Sequence, residues 1–259
     1  MSQDIRPILA GWDFEPELIQ VRIIAGDDGS EKLQMRMDLG LLQMEIDGRP
    51  DGERPEGHES LLELYEARAR EAVARGERFT LEADDCSKLM GEGLQYYHRY
   101  VSAFQIERYE LVARDTARNL RLFSFVAKHA ARQRDRMEFE QYRPYVELMH
   151  ARARATQALR REDYPAALGC IDEGIAAIRR FLAEYKEEGR EAECSELRFL
   201  RQWRREIDDG RPIGPLERLE QQLQVSVTLE DYEEAARIRD QIRRLRAGDT
   251  REHRTLGSS

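Results

Sequence analysis

The chain has 259 residues, of which 41% are hydrophobic and 36% charged, and its formal net charge is −9 at pH 7. This length accommodates one large domain or two smaller ones with a buried core. The acidic balance argues against electrostatic binding of nucleic acid by the protein surface as a whole, which requires clustered cations facing the phosphates. A short basic stretch such as RQWRRE (201–206) is more typical of the solvent face of a helix.

The cysteines and the N-terminal sequence bear on the cellular compartment. Cys86, Cys170 and Cys194 are far apart, lack the spacing of metal ligands and fall in helical patterns, so we expect free, buried or half-buried thiols. The N-terminal residues show no charged segment followed by an apolar run, and no stretch approaches the roughly 18 apolar residues of a membrane span. We therefore expect a cytoplasmic protein.

Residues 1–58 form the only region with the patterning of β-strands. LIQVRIIAG and KLQMRMDLG are two such runs, separated by the turn sequence DDGS. In the second run Leu33, Met35 and Met37 alternate with polar residues, which predicts a strand with one solvent face. LLQMEI is a candidate third strand. We predict a small antiparallel sheet of three strands, which needs helices packed against it.

A candidate ligand site lies in MDLGLLQMEIDGRPDG (37–52). The polar residues concerned are Asp38, Glu45, Asp47, Asp51 and Arg49. Such a set would suit a hard cation or a paired acid and base. The spacing of calcium-binding loops is missing, however, and aspartates beside glycines are ordinary turn chemistry. We favour a structural loop and keep an enzyme or ligand-binding protein that uses this acidic loop as an alternative.

Other sequence features favour a protein without catalytic activity. The five histidines form no pair with the spacing of metal ligands, and phosphate-binding glycine loops, nucleophile elbows and HExxH sequences are missing. We therefore predict no catalytic residues, no cofactor and no metal site. ARDTARNLR (113–121) predicts a salt-bridged helix flank, in which Asp115 and Arg118 are spaced for an i,i+3 ion pair.

Residues 59–209 have the periodicity of helices almost throughout. Two segments, FQIERYELVARDTARNLRLFSFV and LRREDYPAALGCIDEGIAAIRRF, align with Tyr109 opposite Tyr164 and Val112 opposite Ala167. The period is 55 residues, the separation of the two tyrosines. Each unit has a long helix before its tyrosine and another after it, so we predict a bundle of antiparallel helix hairpins.

The second of these units resembles the back half of a tetratricopeptide repeat. Asp163 and Tyr164 stand at the position of the turn between helices, and Ala167 is the small residue at the helix crossing. The usual spacing of about 34 residues is missing, and Glu162 replaces the turn glycine. We therefore predict packed hairpins and not a peptide-binding repeat array. AECSELRFLRQWRREI (192–207) predicts a further helix that caps the stack.

The sequence DDGRPIGP interrupts the helical pattern and predicts a linker at 210–215. Two amphipathic segments at 216–246 predict a helical hairpin, and 247–259 predicts a disordered tail. The first segment has apolar residues at Leu216, Leu219, Leu223 and Val227, and the second at Tyr232, Ala235, Ile238, Ile242 and Leu245. Two helices this short bury little surface by themselves. We therefore expect a partner to cover part of the hairpin, with docking on the chain's own helical body as an alternative.

LERLEQQLQVSVTLEDYEEAARIRDQIRRL (216–245) resembles the UVR motif, the helical hairpin of the excision-repair proteins UvrB and UvrC that also occurs in bacterial adaptor and stress proteins. The resemblance rests on the leucine ladder, an aromatic residue, two alanines, and an Arg-Asp pair followed by Ile and Leu. It implies that the hairpin is a pairing device. The residues predicted to contact a partner are Leu219, Leu223, Tyr232, Ala235, Ala236, Arg239, Asp240, Ile242 and Leu245.

These observations predict a mainly α protein with a small N-terminal β-sheet, a helical-hairpin bundle and a C-terminal UVR-type hairpin. The function we expect is that of a non-enzymatic adaptor or scaffold that binds a protein with a similar hairpin or a second copy of itself. An alternative is an accessory factor of nucleotide excision repair that contacts UvrB- or UvrC-type proteins and touches DNA directly. We expect no membrane partner.

Overall fold

The computed structural model describes residues 4–185 and 188–212, and within the C-terminal region residues 218–219, 222–224, 227, 234 and 236–243. The chain divides after Asp208 into two compact units. The predicted fold class is confirmed, because the described residues are mainly helical with one small sheet near the N-terminus. The helices are α1 (Arg6–Leu9), α2 (Leu61–Ala74), α3 (Ala83–Gln105), α4 (Tyr109–His129), α5 (Gln133–Glu140), α6 (Arg143–Arg160), α7 (Tyr164–Glu184) and α8 (Ser195–Gly210).

The sheet has three antiparallel strands in the order β1 (Val21–Ala25), β2 (Glu31–Met37) and β3 (Gly40–Glu45), as the sequence predicted. Leu33 of β2 pairs with Met44 of β3, and both side chains are buried. They belong to a hydrophobic cluster that includes residues of α3, α4 and α6. The bundle thus supplies the helices that so small a sheet needs for stability.

The prediction that one face of β2 is exposed to solvent is wrong. Gln34 is only 4% exposed, and it accepts a hydrogen bond from Arg22 Nε (2.7 Å) and donates one to Gln43 Oε1 (2.8 Å). The guanidinium of Arg22 lies 4.1 Å from the ring centroid of Trp12, and Arg36 Nε donates to the Trp12 carbonyl. The segment before β1 therefore covers this face, and the buried polar side chains bond to one another.

Helices α3 and α4 form one hairpin, and helices α6 and α7 form another. In each turn a glutamate adopts a left-handed backbone, with φ of 62° at Glu107 and 58° at Glu162. The next N–H donates to the carbonyl of Ala103 (2.9 Å) or Ala158 (3.0 Å). The two turns thus have the same geometry at positions 55 residues apart, and the predicted turn at Glu162 forms without glycine.

Small residues allow the helices of the second hairpin to approach closely. A Cβ atom added at Gly174 of α7 would lie 2.7 Å from the Cβ of Ala151 in α6. Ala167, near the start of α7, is completely buried. Leu197 and Leu200 of α8 are also completely buried, and they pack in the same cluster as these helices. The helix predicted to cap the stack therefore closes this core.

Two further properties concern the cysteines and the apolar character of the helices. Cys86 is buried, Cys170 and Cys194 are half-buried, and all three are free thiols, as predicted. Among the helices of the described residues, none combines the length and the apolar character needed to cross a lipid bilayer.

Candidate interaction site

The C-terminal unit presents one apolar stripe on its second helical segment. Every described residue from 218 to 243 is helical. Ile238 and Ile242 are 4% and 7% exposed and lie one helical turn apart, on the same face. Leu219 and Leu223 of the first segment are half-buried. These four residues have the one-sided burial that the spacing predicted, whereas Val227, predicted on the same face of the first segment, is 46% exposed.

The opposite side of this helical segment is charged and exposed. Asp240 lies 3.9 Å from Arg243, and Arg237 lies 3.4 Å from Glu234, each as an i,i+3 pair. Such exposed pairs contribute little to stability. Arg239 is exposed and lies within ion-pair distance of no carboxylate among the described residues. Its side chain is therefore accessible to a partner in this part of the chain.

Six of the nine predicted contact residues can be placed. Ile242 is buried, and the half-buried Ala236 accompanies the two half-buried leucines. Arg239 and Asp240 are exposed. The other three positions, Tyr232, Ala235 and Leu245, lie outside the described residues.

Residues 215–248 match the family model described as the UvrB/uvrC motif. This region is a UVR motif. The resemblance predicted from the sequence is confirmed, and all nine predicted contact residues fall within the UVR motif. The match lies in the second unit and includes neither the sheet nor any of the helices α1–α8. Comparisons of the chain with curated proteins and with solved structures found no match.

The acidic loop, the other candidate site, is tied to the helical bundle by buried arginines. Arg99 of α3 is completely buried, and its Nη1 donates to the carbonyls of Glu45 and Gly48, at 2.9 Å each. The remaining nitrogens of this guanidinium, Nε and Nη2, bind the two oxygens of Asp115 in α4. The backbone around β3 is thereby fixed on the hairpin of α3 and α4.

Carboxylates of the loop are also occupied by side chains of the protein. Asp47 pairs with Arg114 at 2.8 Å, and Asp51 pairs with Arg49 at 2.9 Å. Glu45 lies 2.5 Å from the Nζ of Lys32, and this hydrogen bond raises the pKa of the lysine. Within the described residues, no group of three or more histidine, cysteine or acidic side chains is arranged to hold a metal ion. This geometry favours the structural interpretation of the loop.

The predicted ion pair between Asp115 and Arg118 is wrong. Arg118 binds Glu92 of α3, whose carboxylate also accepts the N–H groups of Leu61 (2.7 Å) and Leu62 (3.1 Å) at the start of α2. Burial lowers the pKa of Arg118. Glu92 thus satisfies two N–H groups that a helix start leaves without partners. The sequence signal for this arrangement was the position of Glu92, a charged residue within the apolar stripe of α3.

Proposed function

We propose that this protein is a non-enzymatic adaptor whose UVR motif binds a second protein, either one with a hairpin of the same type or another copy of this chain. The observation that carries the proposal is the family match over 215–248, because the UVR motif is an interaction module. In this proposal residues 59–209 form the body of the adaptor, 210–215 a linker and 216–246 the binding hairpin.

The exposed side chains favour a polar contact, because Ile238 and Ile242 of the apolar stripe are only 4% and 7% exposed and offer a partner little area. Arginine is enriched among the residues that dominate binding at interfaces, because its planar fork bonds to carboxylates at two points. Arg239 is exposed next to the stripe formed by Ile238 and Ile242. We place Arg239 at the centre of the contact and Asp240 beside it.

A matched pair of charge reversals in the full-length chain tests this placement. Arg239→Glu should weaken the recovery of a partner by about tenfold or more, the loss expected for a central contact. Arg237→Glu makes the same chemical change two residues away, at a 73% exposed side chain outside the predicted contact set. The control should bind within about twofold of wild type, since charges at a rim contribute little.

The binding experiment should use purified UvrB-type and UvrC-type proteins and a differently tagged copy of this chain as separate baits. Binding of one bait by wild type and by Arg237→Glu, but not by Arg239→Glu, would support the adaptor. Failure of wild type to bind any of these baits would contradict the adaptor function. Equal binding by both variants would retain the function but reject Arg239 as its centre.

A role in nucleotide excision repair is a second candidate, favoured because the matched family is named after UvrB and UvrC. Direct DNA contact predicts salt-sensitive binding to phosphates. The basic stretch at 201–206 gives this little support, since Arg201 pairs with Glu191 and Arg204 pairs with Asp172. Retention on a DNA column at about 50 mM salt would favour contact with DNA. Flow-through at that salt concentration would limit the role to protein binding.

A further inference from the structure

A cavity of about 510 Å³ lies within the first unit, between α3, α4 and α6. Its walls are mainly aromatic, and we call it the tyrosine pocket after Tyr97, Tyr100, Tyr142 and Tyr145, which line it together with Phe123. Leu94 and Tyr142 at its edge are 52% and 50% exposed, so the cavity is accessible from solvent. Its volume is within the range of small-molecule binding sites.

Tyr100, in one wall of the tyrosine pocket, differs from the other buried tyrosines in the bonding of its hydroxyl group. Tyr100 is 1% exposed, and its hydroxyl forms no hydrogen bond with any of the described residues. Other buried tyrosines do have partners: Tyr65 donates to Asp85 at 2.6 Å, and Tyr96 donates to the Gly48 carbonyl. The Tyr100 hydroxyl is not among the fully buried atoms that lack a partner, so this oxygen keeps some accessible surface. Because Tyr100 lines the cavity, its hydroxyl is available for a hydrogen bond with a bound ligand.

The lining of the tyrosine pocket selects against charged ligands. None of the described residues that surround it has a charged side chain, although 36% of the chain is charged. The side-chain amide among the described wall residues is already hydrogen-bonded, because Asn119 donates to the Gly93 carbonyl and accepts from Arg118, both at 3.0 Å. An ionised ligand would lose its hydration without gaining a counter-charge.

The aromatic walls favour a flat guest. The ring of Tyr97 is nearly perpendicular to that of Tyr100, at 88°, and is tilted by 55° from that of Tyr145. A planar ligand can therefore meet ring faces and ring edges together, which are the preferred contacts between aromatic groups. We propose that the tyrosine pocket binds a small, uncharged aromatic compound with one hydroxyl or carbonyl group that hydrogen-bonds to the hydroxyl of Tyr100.

The first test is equilibrium binding of 2-naphthol to the full-length protein by ligand-observed NMR and fluorescence. Wild type should bind 2-naphthol more tightly than 2-naphthoate or 2-naphthylmethylammonium, which share the rings but are charged. Tyr100→Phe keeps the ring and removes the hydroxyl, so its affinity for 2-naphthol should fall roughly three- to tenfold, the contribution of one hydrogen bond. Naphthalene, which cannot form this bond, should bind wild type and Tyr100→Phe equally.

Tyr109→Phe is the control for loss of a tyrosine hydroxyl elsewhere, because Tyr109 stacks on Arg160 outside the pocket. It should bind 2-naphthol like wild type. No binding of 2-naphthol by folded wild type, equal affinities in wild type and Tyr100→Phe, or stronger binding of a charged probe would each overturn the proposal. A different occupant of the pocket opening would also overturn the proposal. If 2-naphthol did not bind, and wild type were an oligomer while Leu94→Arg was a monomer, the opening would be an interface between copies of the chain.

Discussion

Arg99 of α3 and Asp115 of α4 form a two-point ion pair, with Nε 2.6 Å from Oδ2 and Nη2 2.9 Å from Oδ1, and neither side chain is more than 1% exposed. Arg99 also holds the carbonyls of Glu45 and Gly48. The pair therefore joins the sheet and the loop after it to the first helix hairpin. Its buried charges are compensated only while both partners are present.

Asp115→Ala should lower the free energy of unfolding by about 3–5 kcal/mol, because it leaves the guanidinium of Arg99 buried without its counter-charge. Asp84→Ala is the control, since Asp84 pairs with Lys88 at 2.5 Å while both side chains are more than half exposed. Asp84→Ala should lower the free energy of unfolding by less than about 1 kcal/mol. Urea unfolding measures both values, and equally small losses would contradict the anchoring role of the buried pair.

Replacement by alanine at two glycines of α7 should change the free energy of unfolding in opposite directions. Gly174→Ala would place its Cβ 2.7 Å from that of Ala151 and 3.2 Å from a methyl of Leu200, so overpacking should cost about 1–3 kcal/mol. Gly169→Ala has open space around its Cβ and should stabilise the helix by about 0.5–1 kcal/mol. Thermal unfolding of both variants tests this difference. A gain in stability at Gly174 would contradict the close approach of α6 and α7.

The left-handed turn at Glu162 offers a test of backbone strain. Its φ of 58° is unfavourable for a side chain with a Cβ atom, so Glu162→Gly should raise the free energy of unfolding by about 0.5–1 kcal/mol. Glu162→Val adds a branched side chain at the same backbone position and should lower it by about 1–2 kcal/mol. If urea unfolding ranked valine above glycine, the turn would not have this conformation in solution.

Three histidines should make stability fall at mildly acidic pH. Burial lowers the pKa values of His98, His129 and His150 below the ordinary 6.5. The unfolded chain therefore binds protons as the pH falls through about 6.5, while the native protein binds fewer, and the native state loses stability. Stability should be highest above this pH and decline between about pH 7 and pH 5.5.

Urea unfolding at a series of pH values measures this decline. A variant with all three of these histidines replaced by glutamine should show a smaller loss of stability between the same pH values. An unchanged slope in that variant would assign the acid sensitivity to other groups.

The sequence predicted local structure well because periodicity and turn chemistry act over a few residues. The alternating runs around DDGS indicated β1 and β2, and the aligned tyrosines Tyr109 and Tyr164 are the first residues of α4 and α7. The UVR motif was also identified from its local pattern and is confirmed by the family match. Its partner contacts stay a prediction, since they depend on a second molecule.

Interactions between distant parts of the chain could not be read from local patterns. Gln34 has the spacing of a solvent-facing strand residue, but the segment containing Trp12 folds over that face and buries it. Asp115 has the spacing for a pair with Arg118, but Arg99 from the neighbouring helix takes its carboxylate instead. In both cases the side chain contacts a residue that is distant in the sequence. Local spacing had predicted contact with solvent for Gln34 and with a neighbouring residue for Asp115.

The amino-acid sequence by itself determined the mainly helical class, the three strands, the paired hairpins and the UVR motif, because hydrophobic period and turn residues bias each segment locally. Only the tertiary structure decided which charges are buried together and that four tyrosines line one cavity, where the Tyr100 hydroxyl has no hydrogen-bond partner among the described residues. The physical reason is that burial and the pairing of charges depend on which surfaces meet after folding, and residues far apart in the chain supply those surfaces.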